Sequence, residues 1–128
     1  MTSLVVTAAV VEREGCFLMT RRLKGTHLED HWEFPGGKCE PGETLEACLM
    51  RELREELGVD AIVGAEVLAT SHTYPDRHVD LHFFDVTLFG EPVPQLDQEM
   101  RWVAREELAA LKLPPADEKL IAMLTTPE

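Results

Sequence analysis

Basic residues, cysteines and long apolar runs are all scarce in this chain, and each scarcity removes a class of explanation. Lysine and arginine number 12 against 24 acidic residues, leaving a formal net charge of −12. A broad nucleic-acid surface needs a basic footprint, so no nucleic-acid polymer is expected as a partner. A small anionic ligand remains admissible, because metal ions and a few arginines can shield phosphate charge locally. Cys16, Cys39 and Cys48 are odd in number and lack paired metal-ligand spacing, so no disulfide framework is expected. Cys48, inside a predicted helix, reads as a small core residue. No apolar stretch approaches the roughly 20 residues that span a bilayer, so no membrane partner is expected. The opening MTSLVVTAAVVERE has no basic leader or cleavage pattern and reads as a strand, which makes the cytoplasm the expected compartment. Internal repeats, low-complexity tracts and linkers are also missing.

What is present has the proportions of a soluble globular protein, with 45% hydrophobic and 28% charged residues in 128 positions. That length allows one real core, so residues 1–128 are expected to form a single domain. Leu4 to Val11 and Cys16 to Thr20 are apolar runs separated by a Glu-Gly turn, the pattern of a hairpin. Leu23 to His31 is polar and mixed, a loop expected to lie over the site. Pro35-Gly36-Gly37 must turn sharply and lets backbone approach a ligand. A helix is predicted from about Thr44 to Leu57 with Gly58 as its stop. Ala61 to Thr70 and His78 to Phe89 read as longer strands joined through Tyr74-Pro75-Asp76-Arg77. His78, Asp80 and His82 fall on one face of the second, Val79, Leu81 and Phe83 on the other. A Pro-broken acidic loop leads to a strand at Met100 to Val103, a short helix over Arg105 to Leu111, and a terminal helix over Ala116 to Leu124. Strands in front with a central and a terminal helix suggest an α/β (α+β) fold, a mixed sheet between helical layers.

The chemistry is concentrated between Gly36 and Val59, GGKCEPGETLEACLMRELREELGV. At about 100° per residue, Glu52, Glu55 and Glu56 lie within a helical arc of roughly 100°. Such like-charge neighbours cost a few tenths of a kcal/mol per pair. A divalent cation converts that cost into binding, and magnesium favours oxygen ligands of this kind. Most acidic runs are merely solvated faces. Here Gly37, Glu43, Arg51-Glu52, Leu53, Glu55-Glu56, Gly58 and Val59 also stand in the full register Gly-x5-Glu-x7-Arg-Glu-U-x-Glu-Glu-x-Gly-U. That is the Nudix box without departure, and the chain resembles the Nudix hydrolases. The resemblance covers most of the chain and is closest to the MutT-type nucleoside triphosphate pyrophosphohydrolases, on TRR at 20–22, EFPGGK at 33–38, PDRH at 75–78 and PPAD at 114–117.

The resemblance implies an α/β/α sandwich and Mg²⁺-dependent hydrolysis, with Mn²⁺ as a substitute, of a nucleoside triphosphate to the monophosphate and pyrophosphate. Oxidised or modified nucleotides such as 8-oxo-dGTP are the implied substrates, and nucleotide-pool sanitation the implied role. The cation ligands would be Glu52, Glu55, Glu56, the backbone carbonyl of Gly36, and Glu99 from outside the box, with Asp97 as the alternative. One of Glu52, Glu55 or Glu99 would accept the proton of the attacking water. Arg51 would hold a carboxylate bidentately and fix a catalytic rotamer. Glu43 reads as a structural first-turn charge favoured by the helix dipole, with a helper near the metals as the alternative. Arg22 and Arg77 would contact the nucleotide, Arg22 at phosphate. His27 would lie in the closing loop, Phe34 would pack on the base, and the turn Glu33-Phe34-Pro35-Gly36-Gly37 would border the substrate. Asp117 departs from the MutT pattern, which has asparagine there. Ionised aspartate only accepts hydrogen bonds, which suits an exocyclic amino group and disfavours a guanine carbonyl unless the acid is protonated. Asp117 also has the chemistry of a helix N-cap. Hydrolysis of cytidine triphosphates is therefore the alternative activity. A nucleoside-diphosphate-linked substrate fits PDRH and PPAD less well, and a non-catalytic binding module fits poorly with a complete set of box glutamates.

Overall fold

The structure, a computed structural model, describes residues 2–126. Strands β1 (Thr2–Val10), β2 (Glu12–Arg13) and β3 (Cys16–Arg21) open the chain. Glu14 and Gly15, both at positive φ, turn β2 back onto β3. β4 (Trp32–Glu33), β5 (Gly36–Lys38) and helix α1 (Leu45–Leu57) follow. The long hairpin β6 (Asp60–Thr73) and β7 (Arg77–Phe89) comes next, then β8 (Met100–Ala104) and helix α2 (Glu118–Thr125). One mixed sheet runs β5-β1-β7-β6, with β1 parallel to β7 and the other pairs antiparallel. A second, antiparallel group places β3 between β4 and β8, with β2 at its start.

Alternation along the strands divides the core in two. Ala8, Val10, Phe17, Met19 and Phe83 point toward α2 and its approach, meeting Leu108, Leu120 and Ile121. Their sequence neighbours Ala9, Val11, Leu18 and Phe84 point the other way, onto Leu49, Leu53 and Leu57 of α1. The period-2 strand and the i, i+4, i+8 helical stripe are thus two halves of one contact. Fully burying one such leucine contributes about 2 kcal/mol. Helical layers lie on both sides of the strands, the sandwich expected from the sequence.

α1 begins where Thr44 accepts the Ala47 N–H at 3.1 Å and ends at Gly58 in the left-handed region. Its last carbonyls are satisfied by the Pro-broken loop. Val93 donates to Leu57, and both the Gln95 backbone and the Gln98 side chain donate to Glu56. The segment expected as a helix over Arg105 to Leu111 is instead a 3₁₀ turn, Arg105–Ala110, closed by Leu111 N–H to Leu108 at 3.2 Å. Six residues are too few to make an α-helix cooperative. The terminal helix likewise enters through a 3₁₀ turn, Pro115–Asp117.

One expectation is corrected outright. Cys39 and Cys48, nine positions apart in the chain, form a disulfide with Cα atoms 5.2 Å apart. Counting cysteines could not reveal it, because the pairing depends on the chain leaving β5 directly above the second turn of α1. Cys48 is still a fully buried core atom, as expected of it. Cys16 remains a free thiol.

Candidate active site

Glu52 and Glu56 leave α1 beside its leucine stripe and point under the glycine strand. A charged helical face ordinarily stands in solvent, but both are half-buried, and the Glu52 side chain retains only 13% of its exposure. The cover is β5, and it fits only because it is glycine. A Cβ on Gly37 would lie 2.4 Å from Glu52 Oε2, and one on Gly36 would lie 2.0 Å from the Thr7 carbonyl. Gly37→Ala is expected to displace the Glu52 carboxylate and cost ~100-fold in kcat with the fold retained, since small misplacements carry penalties of that size. Steady-state kinetics beside circular dichroism would check it; unchanged kcat would mean that Glu52 needs no fixed seat.

Arg51 holds the glutamate network together. Its Nε and Nη2 grip Glu43 bidentately at 2.7 and 2.8 Å. Nη1 reaches Glu52 at 3.0 Å and Glu55 at 3.1 Å, and Nη2 also donates to the Lys38 carbonyl at 3.0 Å. These bonds hold the Glu43 carboxyl down to about 2, the guanidinium being the main cause. The bidentate partner is thus Glu43, which also accepts the Glu40 N–H and anchors the helix entry.

A cavity of about 350 Å³ opens beyond the glycine strand. Its walls carry Glu52, Glu56, Glu33, Gly36, Gly37 and Arg22 together with Phe34, Tyr74, His27, Arg77 and Asp117, over an apolar floor from β1 and β7. Burial, then the charges of Glu33 and Glu52, push the Glu56 carboxyl up to about 8, against the opposing Gly36 amide and Arg22. Burial raises Glu33 and Glu52 as well. Arg22 donates to Glu33 at 3.0 Å and to the His27 carbonyl, so it fastens the 22–31 loop while facing the cavity. Arg77 pairs with Asp76 at 3.1 Å.

Two buried polar atoms here have no partner, His27 Nε2 and Asp117 Oδ2. The Asp117 side chain makes no capping hydrogen bond to α2, so its helix-capping role is not used. Burial, and then the Glu33 charge, push its carboxyl up to about 8. Burial followed by the Arg77 charge lowers His27, leaving a neutral ring at pH 7. Orphaned buried groups of this kind cost free energy unless a ligand satisfies them.

Other expected site residues lie outside the cavity. The Glu55 side chain is exposed and held by Arg51. Glu99, 61% exposed, is engaged by Arg21 at 2.8 Å. Pro35 gives its carbonyl to the Ala9 N–H, which stitches the turn to β1. Among the described residues, no three acidic, histidine or cysteine side chains converge as a finished cation cage. Unneutralised carboxylates repel one another, and Glu55 and Glu99 each take the nearest guanidinium. Glu52 and Glu56 are nonetheless hard oxygen donors in a cluster with excess negative charge, which fits a divalent cation.

Tyr74 was missed by sequence reading. It is buried at the tip of the β6–β7 hairpin, packs edge-on against His27 with centroids 4.7 Å apart, and takes a backbone hydrogen bond from Ala116. Its signal was a turn position, Tyr74-Pro75-Asp76-Arg77, where an aromatic has no local reason to stand. Leu81, Phe83 and Val79 were assigned a common strand face, but not the cavity floor that this face forms.

The NUDIX domain family model matches residues 6–123. The chain is 38% identical over 122 residues to the CTP pyrophosphohydrolase of Escherichia coli K12, covering 94% of this chain and 90% of that protein. It is 38% identical over 121 residues to the 8-oxo-dGTP diphosphatase of Haemophilus influenzae, covering 93% and 89%. The solution structure of the E. coli ORF135 protein superposes with a TM-score of 0.81 at 37% identity, covering 97% of this chain and 87% of that one. With the box complete and the match running nearly end to end, this chain belongs to the Nudix hydrolase family.

Proposed function

We propose that residues 1–128 act as a single Nudix unit in the cytoplasm and hydrolyse a free (deoxy)nucleoside triphosphate to the monophosphate and pyrophosphate. Modified purines such as 8-oxo-dGTP are the preferred substrates. The observation that carries this reading is the pair of unpartnered atoms, Asp117 Oδ2 and His27 Nε2, on residues that line the same cavity as Glu52 and Glu56. A base would satisfy the first pair while its phosphates reach the second.

Phe34 and the β1–β7 floor supply apolar contact to the base, and Tyr74 steadies the His27 ring. Asp117, holding its proton at neutral pH, both donates and accepts, as asparagine would. That answers the objection to a carboxyl facing a guanine carbonyl. Arg22 has guanidinium donors beyond those it gives Glu33 and His27, and with Arg77 it offers positive charge to the phosphate chain. A bound divalent cation, magnesium or manganese, would neutralise phosphate charge and lower the pKa of water there. Glu52 and Glu56 would hold it, with the Gly36 backbone beside them. Glu52, its carboxyl raised by burial, would take the proton of the attacking water. Attack at the β-phosphorus follows from the resemblance to MutT-type enzymes.

The second reading, a cytidine triphosphate preference, draws on the same residue. Ionised Asp117 would accept from an exocyclic amino group, and one relative is a CTP pyrophosphohydrolase. Pyrophosphate release from 8-oxo-dGTP, dGTP, CTP, dCTP, 5-methyl-dCTP and ADP-ribose, with Mg²⁺ and with chelator, tests the assignment. Selective turnover of 8-oxo-dGTP, abolished by chelator, is expected. Turnover of ADP-ribose alone would overturn the triphosphate reading.

A further inference from the structure

The Cys39–Cys48 bond plays no part in nucleotide recognition, yet it sits at the joint of the active site. We propose that these two cysteines form a reversible thiol–disulfide site. It exchanges with low-molecular-weight disulfides such as glutathione disulfide, and its bond fastens the glycine strand to the catalytic helix.

Placement carries the argument. Cys39 follows β5 directly, two residues after Gly37, whose backbone covers Glu52. Cys48 lies four residues before Glu52 on α1, one helical turn away on the same side. The bond therefore ties strand to helix at the level where Gly37 meets the carboxylate. Two further side-chain links join these segments, the Arg51 bond to the Lys38 carbonyl at 3.0 Å and the Gly36 amide to the Glu56 carboxyl. The backbone bond from Cys39 N–H to Val5 at 2.8 Å keeps β5 on β1 in either redox state.

The two sulfurs differ in access. Cys48 is fully buried, with the Thr7 hydroxyl 3.3 Å from its sulfur. Cys39 is half-buried and open on one side. An incoming thiol or disulfide must meet Cys39 first. In the oxidising direction, the Cys39 thiolate attacks one sulfur of the small disulfide. The old bond breaks, one thiol leaves, and Cys39 carries a mixed disulfide. The Cys48 thiolate then attacks the Cys39 sulfur, forms the internal bond and expels the second thiol. Two protein thiols are oxidised, one small disulfide is reduced to two thiols, and the two protons leave with those thiols. The reverse sequence opens the bond, and the strand is then tied to α1 by the Arg51 bond to Lys38 and the Gly36 bond to Glu56.

The test uses the full chain with Cys16→Ser as background, equilibrated in glutathione redox buffers, with alkylation and mass analysis of free thiols. Cys39 and Cys48 are expected to titrate together as one two-electron transition. In Cys48→Ala, glutathione is expected on Cys39; in Cys39→Ser, Cys48 is expected to stay unmodified. Amide hydrogen exchange over residues 36–43 of the nucleotide-free protein should accelerate on reduction, and kcat should fall at least threefold, as looser positioning of a reacting group predicts. Cys39→Ser should reproduce the reduced values and ignore the redox buffer. Independent alkylation of the two thiols at every poise, or exchange over 36–43 unaltered by reduction, would overturn the proposal. Neither readout requires the nucleotide assignment to hold.

Discussion

Glu56→Gln is expected to lower kcat/KM by ~10³-fold or more, because removing a charged oxygen where phosphate charge must be neutralised forfeits several kcal/mol of transition-state stabilisation. The same substitution should strengthen the metal-free fold at alkaline pH, which separates a lost site from a lost structure. The sign follows from the proton. Folded, Glu56 titrates near 8; unfolded, near 4.5. Between those values the folded chain holds a proton that the unfolded chain has released. Stability from this group is complete below about pH 4.5 and falls as pH rises, by about 1.4 kcal/mol per pH unit, until it is exhausted above about pH 8. Thermal unfolding in chelator from pH 5 to 9 should show that decline in the wild type and a shallower one in Glu56→Gln. The residual slope belongs to Asp117, Glu33 and Glu52, all raised in the same direction. Cation affinity should rise over the same interval, because proton and cation compete for one carboxylate. Near-wild-type turnover by Glu56→Gln, or a slope it leaves unaltered, would remove Glu56 from the site.

The second large effect concerns which base is accepted. Asp117→Ala is expected to cost ~100-fold or more in kcat/KM for 8-oxo-dGTP, since a site built around a hydrogen-bonding group discriminates strongly once that group is gone. Asp117→Asn should keep most of that activity. The wild type should lose preference for 8-oxo-dGTP relative to CTP as pH rises through about 8, where the Asp117 proton leaves and the carboxylate can only accept. Asparagine has no such proton, so the variant's preference should be flat with pH. The opposite pattern, a wild type that favours CTP throughout and an Asn variant that loses it, would establish the cytidine reading. In either case the residue lines the same cavity as the glutamates, far from them in sequence and joined to them only through the fold.

The sequence by itself determined whatever has a local or periodic cause. The Thr44–Gly58 helix was legible from its cap, its stop and its leucine spacing, and it runs Leu45–Leu57. The turn at Glu14-Gly15, the long β6–β7 pair and the shared face of Val79, Leu81 and Phe83 follow from turn chemistry and alternation, although that turn pairs only Glu12–Arg13 with β3, and the Leu4 run expected to complete the hairpin joins the other sheet. The box placed Glu52 and Glu56 on one helical face for the same reason, and named the family.

Tertiary structure decided what depends on segments distant in the chain. Whether Glu52 is exposed cannot be read from α1, because the strand that covers it is held against β1, and only the missing Cβ of Gly37 leaves it room. Glu55 and Glu99 looked equivalent to Glu52 in charge. They stay exposed, held by Arg51 and Arg21, whereas Glu52 shares Arg51 but lies under the glycine strand. The Asp117 proton is a consequence of burial beside Glu33, 84 positions earlier in the chain, and composition carries no trace of it. The disulfide is of the same kind. Spacing counts residues along the chain, whereas a sulfur–sulfur bond needs two Cβ atoms to meet in space, and the docking of β5 on α1 brings that about.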